Sequence, residues 1–191
     1  AYETLMYGLL LSGLAMQMAG NSRPASGAEH HLSHLWEMEA INSYVDAYHG
    51  QKVGVGLLLA AEVYHRAAKK LHAGAGTVPY HGIETALLKE KLPERLLHSI
   101  LKENDPDPMA NLTDETLLAK ETELADILDA VPTTAELSAI LEQVGGVRTM
   151  ADIGLDASLR TDSLRLSPYV RNRLTVMRIL KRFDFYEEVI S

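Results

Sequence analysis

Strict alternation of apolar and polar residues never persists beyond about five positions in this chain, and a half-buried β-strand needs that alternation. What recurs instead is apolar spacing of the helical kind, punctuated by caps and breakers. The pattern predicts an all-α fold, a helical bundle domain spanning 1–191 with little or no sheet. Helices are predicted over 2–19, 28–43, 49–71, 93–102, 114–129, 134–144, 156–164 and 167–180. Gly20 and Asn21 stop the first of them, and Pro24 stiffens the loop 21–27. The stretch 73–79, with Gly74, Gly76 and Pro79, reads as a second loop, and 104–108 as a turn. Pro93 and Pro168 suit the first turns of their helices. Thr113, and Thr133 or Thr134, carry the hydroxyl that an N-cap requires. Gly145 and Gly146 close the helix before them.

The first predicted helix is apolar nearly all round, from Tyr2 through Leu9, Leu10, Leu11 and Leu14 to Met18. A helix of that kind normally lies deep inside a protein. Its position predicts a chain that begins in the middle of something larger. It is a poor bilayer span: Gly8, Ser12, Gly13 and Gln17 interrupt it, and it falls short of the roughly 20 apolar residues needed. No signal peptide is visible. The expectation is a cytoplasmic protein with no membrane partner.

The formal charge of −8 argues against nucleic acid, because phosphate contacts need concentrated Lys and Arg. Basic residues gather only at Arg171, Arg173, Arg178, Lys181 and Arg182, where the spacing predicts a solvated helix face. There is no cysteine. Disulfides, thiolate zinc sites, iron–sulfur clusters and cysteine nucleophiles are excluded, which leaves His, Asp and Glu as the strong metal ligands.

The histidines are concentrated where such ligands would be useful. His30 and His34 are four apart and share a helix face, whereas His31 points elsewhere. His49 follows His30 by 19 residues, far enough for the chain to turn and come back. Neutral imidazole suits zinc, nickel and iron alike. A catalytic ion wants about three protein ligands and an open position, so two histidines leave it one short. The same pair also fits a plain solvent-facing helix. Glu37 is placed either to orient His34 from the next turn or to face water. His65, His72, His81 and His98 have no partner at ligand spacing. Met6, Met16 and Met18 read as core filler, and Trp36 with Leu32 and Leu35 as packing. Gly54 and Gly56 lie inside a helix, not after a strand, so they make no dinucleotide loop. Each costs a helix about 1 kcal/mol relative to Ala, which points to close approach of another helix or of a ligand.

The run Ser22-Arg23-Pro24-Ala25-Ser26-Gly27-Ala28-Glu29-His30, then His34, then His49-Gly50-Gln51-Lys52-Val53-Gly54-Val55-Gly56, resembles the C-terminal domain of the glycerol-1-phosphate dehydrogenases, the bacterial branch in particular. These belong with glycerol dehydrogenase, dehydroquinate synthase and the iron-dependent alcohol dehydrogenases. The resemblance implies NAD(P)H-dependent reduction of dihydroxyacetone phosphate to sn-glycerol 1-phosphate, a step of phospholipid metabolism. It implies His30 and His49 as ligands to Zn2+ or Ni2+, and His34 as a substrate contact. Charge places Arg23 either near the substrate phosphate or in a structural ion pair. In the family an N-terminal α/β domain binds the nicotinamide and supplies an Asp ligand; nothing in this chain matches it. The resemblance therefore implies the helical half alone, unable to transfer hydride and holding metal weakly or not at all. It also implies a homodimer or larger homo-oligomer. Two other readings fit parts of the pattern: a glycerol or other polyol dehydrogenase, and a non-catalytic helical interaction module.

Overall fold

The computed structural model describes residues 2–191. Among them it contains helices and turns but no β-strand; one isolated bridge joins Thr77 to Phe183. The helices are α1 (Tyr2–Ala19), α2 (Ala28–Glu37), α3 (His49–His72), α4 (Thr85–Lys91), α5 (Glu94–Glu103), α6 (Asp114–Ala119), α7 (Glu121–Asp129), α8 (Thr134–Gln143), α9 (Arg160–Leu166), α10 (Val176–Ile179) and α11 (Tyr186–Ile190). The all-α expectation holds.

The core forms around α3. Its inward residues Val55, Ala60, Val63, Ala67, Ala68 and Leu71 meet Leu32 and Trp36 of α2, Ala125 and Leu128 of α7, and Val189 and Ile190 of α11. Small residues on α3 let its neighbours approach closely. Trp36 is fully buried, and its indole N–H donates to Ser163 Oγ at 2.8 Å, so the polar handle of the largest core residue is satisfied. A second cluster lies beside the first. It joins Leu35 on α2 to Leu88, Leu92 and Ile100 of α4, the following loop and α5, to Leu166 at the end of α9, and to Tyr169 and Val170 after it.

Several expectations are corrected. Helix α1 has no buried residue and packs chiefly on the 3-10 turn Arg23–Ala25, so Met6 and Met18 stand exposed and are not core filler of this chain. An apolar stripe all the way round gives no single face for the core to take. Helix α2 ends at Glu37, not Ser43, because Glu39 adopts φ 51° and turns the chain out. Asn42 Nδ2 then donates to the Trp36 carbonyl at 3.1 Å, and Arg95 donates to the carbonyls of Met38 and Glu39. The predicted helix 114–129 breaks at Lys120. There Glu121 opens a new helix and accepts the Ala75 N–H at 2.6 Å, tying α7 to the loop 73–79.

The predicted helix 167–180 dissolves into a 3-10 turn, an irregular stretch and the short α10. Side chains claim its carbonyls: Asn104 Nδ2 bonds Tyr169 O, and the Arg178 guanidinium bonds Pro168 O and Arg171 O. With those acceptors occupied, the helical ladder is lost. The solvated basic face is overturned with it. Arg178 and Arg182 are buried, Arg178 also bonding Asn104 Oδ1 and Arg182 bonding Leu112 O and Asp114. Lys181 is nearly covered and pairs with Glu84. No described helix is long and apolar enough to cross a membrane.

Candidate metal centre

Helices α2 and α3 run in opposite directions, with Glu29 over Gly56 and Glu37 beside His49. Gly56 makes this approach possible: a Cβ there would meet the Glu29 carbonyl oxygen at 2.8 Å. Gly54 is different, since a Cβ there would meet only the Leu141 side chain at 3.8 Å. At the start of α3 the Tyr48 N–H donates to Gln51 Oε1 at 2.8 Å, which fixes the helix entry and places His49 in its first turn.

The pairing gathers three imidazoles. Ring centroids of His30 and His49 are 5.4 Å apart, those of His34 and His49 5.4 Å, and those of His30 and His34 6.3 Å. All three side chains keep some exposure: 24% for His30, 33% for His34 and 48% for His49. Two carboxylates stand behind them. Glu29 Oε1 is 2.8 Å from His30 Nδ1, and Glu37 contacts His34 Nδ1 at 3.0 Å and His49 Nδ1 at 2.8 Å. Burial raises the Glu37 carboxyl, but hydrogen bonds from His49, His34 and Ser33 outweigh it and leave its pKa below the usual value. Glu29 behaves likewise: burial raises it, and bonds from His30 and the Gly27 N–H bring it down. Both carboxylates are therefore ionised near neutral pH.

The donor set fits a divalent cation of the zinc or nickel kind. Among the described residues, the cluster whose ligand atoms all lie within 4.8 Å of one another is His34, Glu37 and His49. His30 stands one ring further out. His34 thus belongs to the tight cluster and His30 does not, although both rings lie 5.4 Å from that of His49 and the family resemblance implies the metal role for His30.

His31 lies off the site, buried, with both ring nitrogens unpartnered in the described structure. Burial, then the charges of Arg173 and Arg178, push its pKa down to about 4, so it sits neutral in the core. His65 and His72 lean on Asp129, at 3.7 and 2.9 Å, away from the cluster.

Arg23 is not at the imidazoles. It lines a cleft of about 670 Å3 at the N-terminal end of α2, with Ser26, Gly27, Tyr64, Asn111 and Arg173. Arg173 holds that loop in place, donating to Ser26 O and to Ser22 Oγ, both at 2.9 Å. Sequence reasoning missed this role of Arg173, and missed Glu29 and Ser33 as partners of the histidines. The adjacency of Glu29 to His30, and the spacing of Ser33 four before Glu37, were the available signals.

No family model matches the chain, and no solved structure matches it. Curated proteins do. The chain is 34% identical over 187 residues to the NAD(P)+ glycerol-1-phosphate dehydrogenase of Geobacillus stearothermophilus, a match covering 97% of this chain and 40% of that protein. It is 32% identical over 173 residues to the enzyme of the same name from Halalkalibacterium halodurans, covering 90% and 36%. A shorter match, 38% identical over 101 residues, joins it to the corresponding protein of Pyrococcus horikoshii, covering 50% and 28%. The chain spans about two fifths of the length of the curated relatives that match it most fully.

Proposed function

Because this chain is a relative of the glycerol-1-phosphate dehydrogenases over nearly its whole length, we propose that it is the helical, metal- and substrate-binding part of such an enzyme. The reaction is the reduction of dihydroxyacetone phosphate by NADH or NADPH to sn-glycerol 1-phosphate, in the cytoplasm. The observation that carries the reading is the cluster of His30, His34 and His49 on two paired helices, each imidazole backed by a carboxylate.

In this reading His30 and His49 hold Zn2+ or Ni2+, and His34 contacts the substrate. Bound there, such an ion supplies Lewis-acid polarisation of the ketone oxygen. The chain's own groups do the rest. Glu29 and Glu37 orient the imidazoles. His34, a third exposed beside His49, presents a hydrogen-bonding nitrogen to a substrate hydroxyl. Arg23, in the cleft at the start of α2, offers a cation for the phosphate. We assign nicotinamide binding and the remaining metal ligand to an α/β domain in the part of the relatives that this chain does not span. The assembled enzyme is a homodimer or larger homo-oligomer.

The test is made on the full-length protein, comparing dihydroxyacetone phosphate with unphosphorylated dihydroxyacetone. Preference for the phosphorylated ketone, with loss of turnover in His30→Ala and in His49→Ala, is the expected result. Equal use of both ketones would move the assignment to a polyol dehydrogenase. Full activity in both histidine variants would remove the metal site from the mechanism.

A further inference from the structure

The contacts around the three histidines follow one rule. Glu37 Oε2 meets Nδ1 of His34, Glu37 Oε1 meets Nδ1 of His49, and Glu29 Oε1 meets Nδ1 of His30. In none of these pairs is Nε2 the atom engaged. An ionised carboxylate accepts hydrogen bonds and donates none, so each imidazole must donate from Nδ1. A neutral imidazole that carries its proton on Nδ1 keeps its lone pair on Nε2.

Glu37 is placed to do this twice. It sits one turn after His34 on α2 and reaches across to His49 at the start of α3, giving one oxygen to each ring. Ser33 Oγ donates to the same Oε1 at 3.2 Å, steadying the carboxylate between the two helices. Ion pairs this exposed contribute little to stability, so fold stability does not account for a carboxylate shared in this way.

From this geometry we infer that Glu37 is a positioning residue that fixes both His34 and His49 in the Nδ1–H tautomer, as Glu29 does for His30. The Nε2 lone pairs of His30 and His49 are thereby kept available to a divalent cation, and that of His34 to a substrate hydroxyl. The use of those lone pairs rests on the metal reading above; the tautomers themselves do not.

A glutamine at position 37 distinguishes this from mere packing. Its shape is that of Glu, but it has one accepting oxygen and one donating nitrogen. It can accept from one Nδ1–H. To the other ring it must donate, which makes that Nδ1 an acceptor and moves the proton to Nε2. One lone pair is then lost from the cluster with the side-chain volume unchanged.

The experiment is long-range proton–nitrogen correlation NMR on this chain labelled with nitrogen-15 at histidine, at mildly alkaline pH. Without a partner, the neutral histidine side chain favours the Nε2–H form. The expected result is Nδ1–H for His30, His34 and His49 in the wild type. Glu37→Gln should convert His34 or His49 to Nε2–H and leave His30 as it was. The wild-type spectrum decides even if the variant fails to fold: Nε2–H at His34 or His49 overturns the proposal. So does a folded Glu37→Gln chain whose tautomers are unchanged. Titration of the full-length protein with Zn2+ alone against a chromophoric chelator gives a second readout, in which Glu37→Gln weakens affinity by about 10–100-fold. If the tautomers are as expected but the full-length protein binds no Zn2+ or Ni2+, the positioning role stands and the metal reading falls.

Discussion

Gly56 on α3 lies so close to Glu29 on α2 that any side chain at position 56 would strike the Glu29 carbonyl oxygen, at 2.8 Å from the first carbon added. Leu32 Cβ stands 3.3 Å from the same point, so backbone and core both block relief. Gly56→Ala should force α2 away from α3 and destabilise the chain by about 1–3 kcal/mol, the range for overpacking. Gly54→Ala, two residues earlier, meets only the movable tip of Leu141. There the better helix propensity of Ala should leave stability unchanged or raise it by up to about 1 kcal/mol. Urea unfolding of the two variants checks both signs. Equal behaviour would mean that the close approach at Gly56 does not set the spacing of the helices.

A second prediction concerns acid. Glu84 accepts hydrogen bonds from Lys181 Nζ at 2.5 Å and from the Tyr169 hydroxyl at 2.6 Å. Burial raises its carboxyl; the Lys181 charge and the two hydrogen bonds outweigh this and hold it below the usual 4.5. A carboxylate with a depressed folded pKa adds stability above its unfolded pKa and loses it as pH falls through the folded one. The contribution is therefore complete above pH 4.5 and disappears below it. Lys181 is buried enough that burial lowers its own pKa against the pull of Glu84, so it needs that partner. Glu84→Gln should lower stability by about 1 kcal/mol at neutral pH, the screened value for a pair whose carboxylate is half exposed. It should also flatten the loss of stability below pH 4.5. Thermal melts across pH 3–7, on a scale set by the usual carboxylate range, measure both. A variant as stable as the wild type at neutral pH would show that Lys181 is solvated.

What was legible in the sequence was helix identity and the grouping of His30, His34 and His49. What was not was where helices stop. The end of α2 depends on Glu39 turning left-handed and on Asn42 and Arg95 reaching its last carbonyls, contacts that span up to 57 residues. The loss of helix after Ser167 depends on Asn104 and Arg178 taking carbonyls that a local reading assigns to the ladder. Arg178 and Arg182 carry the composition of a solvated face, and only the fold shows that they are buried against backbone carbonyls, the Asn104 amide oxygen and the Asp114 carboxylate. The site suffered less because its contacts are short in sequence: His30 to Glu29, His34 to Glu37, and one crossing to His49 made possible by Gly56.

A third prediction separates the chain from the whole enzyme. Among the described residues there is no strand and so no Rossmann-type crevice for a nicotinamide. The chain alone should show no oxidation of NADH or NADPH with dihydroxyacetone phosphate, followed by absorbance, with or without added Zn2+ or Ni2+. Turnover that His49→Ala abolishes would overturn the division of labour proposed above. In the full-length protein the same substitution should lower kcat/KM by at least about a hundredfold, in keeping with the several kcal/mol that a Lewis acid supplies.

The last prediction comes from α1. Tyr7, Leu10 and Leu14 share one of its faces and are 64%, 62% and 55% exposed. Leu5, Met6, Leu9 and Met18 extend the apolar surface round the helix. Exposed apolar surface gathered on one element in this way favours association. Its removal from solvent is worth roughly 25 cal/mol per Å2, and no other element of the described chain covers it. The chain should therefore associate as its concentration rises, with a sedimentation-average mass climbing above 21.0 kDa. Replacing Leu10 and Leu14 together by Glu breaks the stripe at its centre without touching the core, because α1 contributes no buried residue. The double variant should sediment nearer 21.0 kDa at the same concentration and keep its helical circular dichroism. Undiminished association in that variant would place the contact on another surface and leave α1 a solvated helix despite its composition.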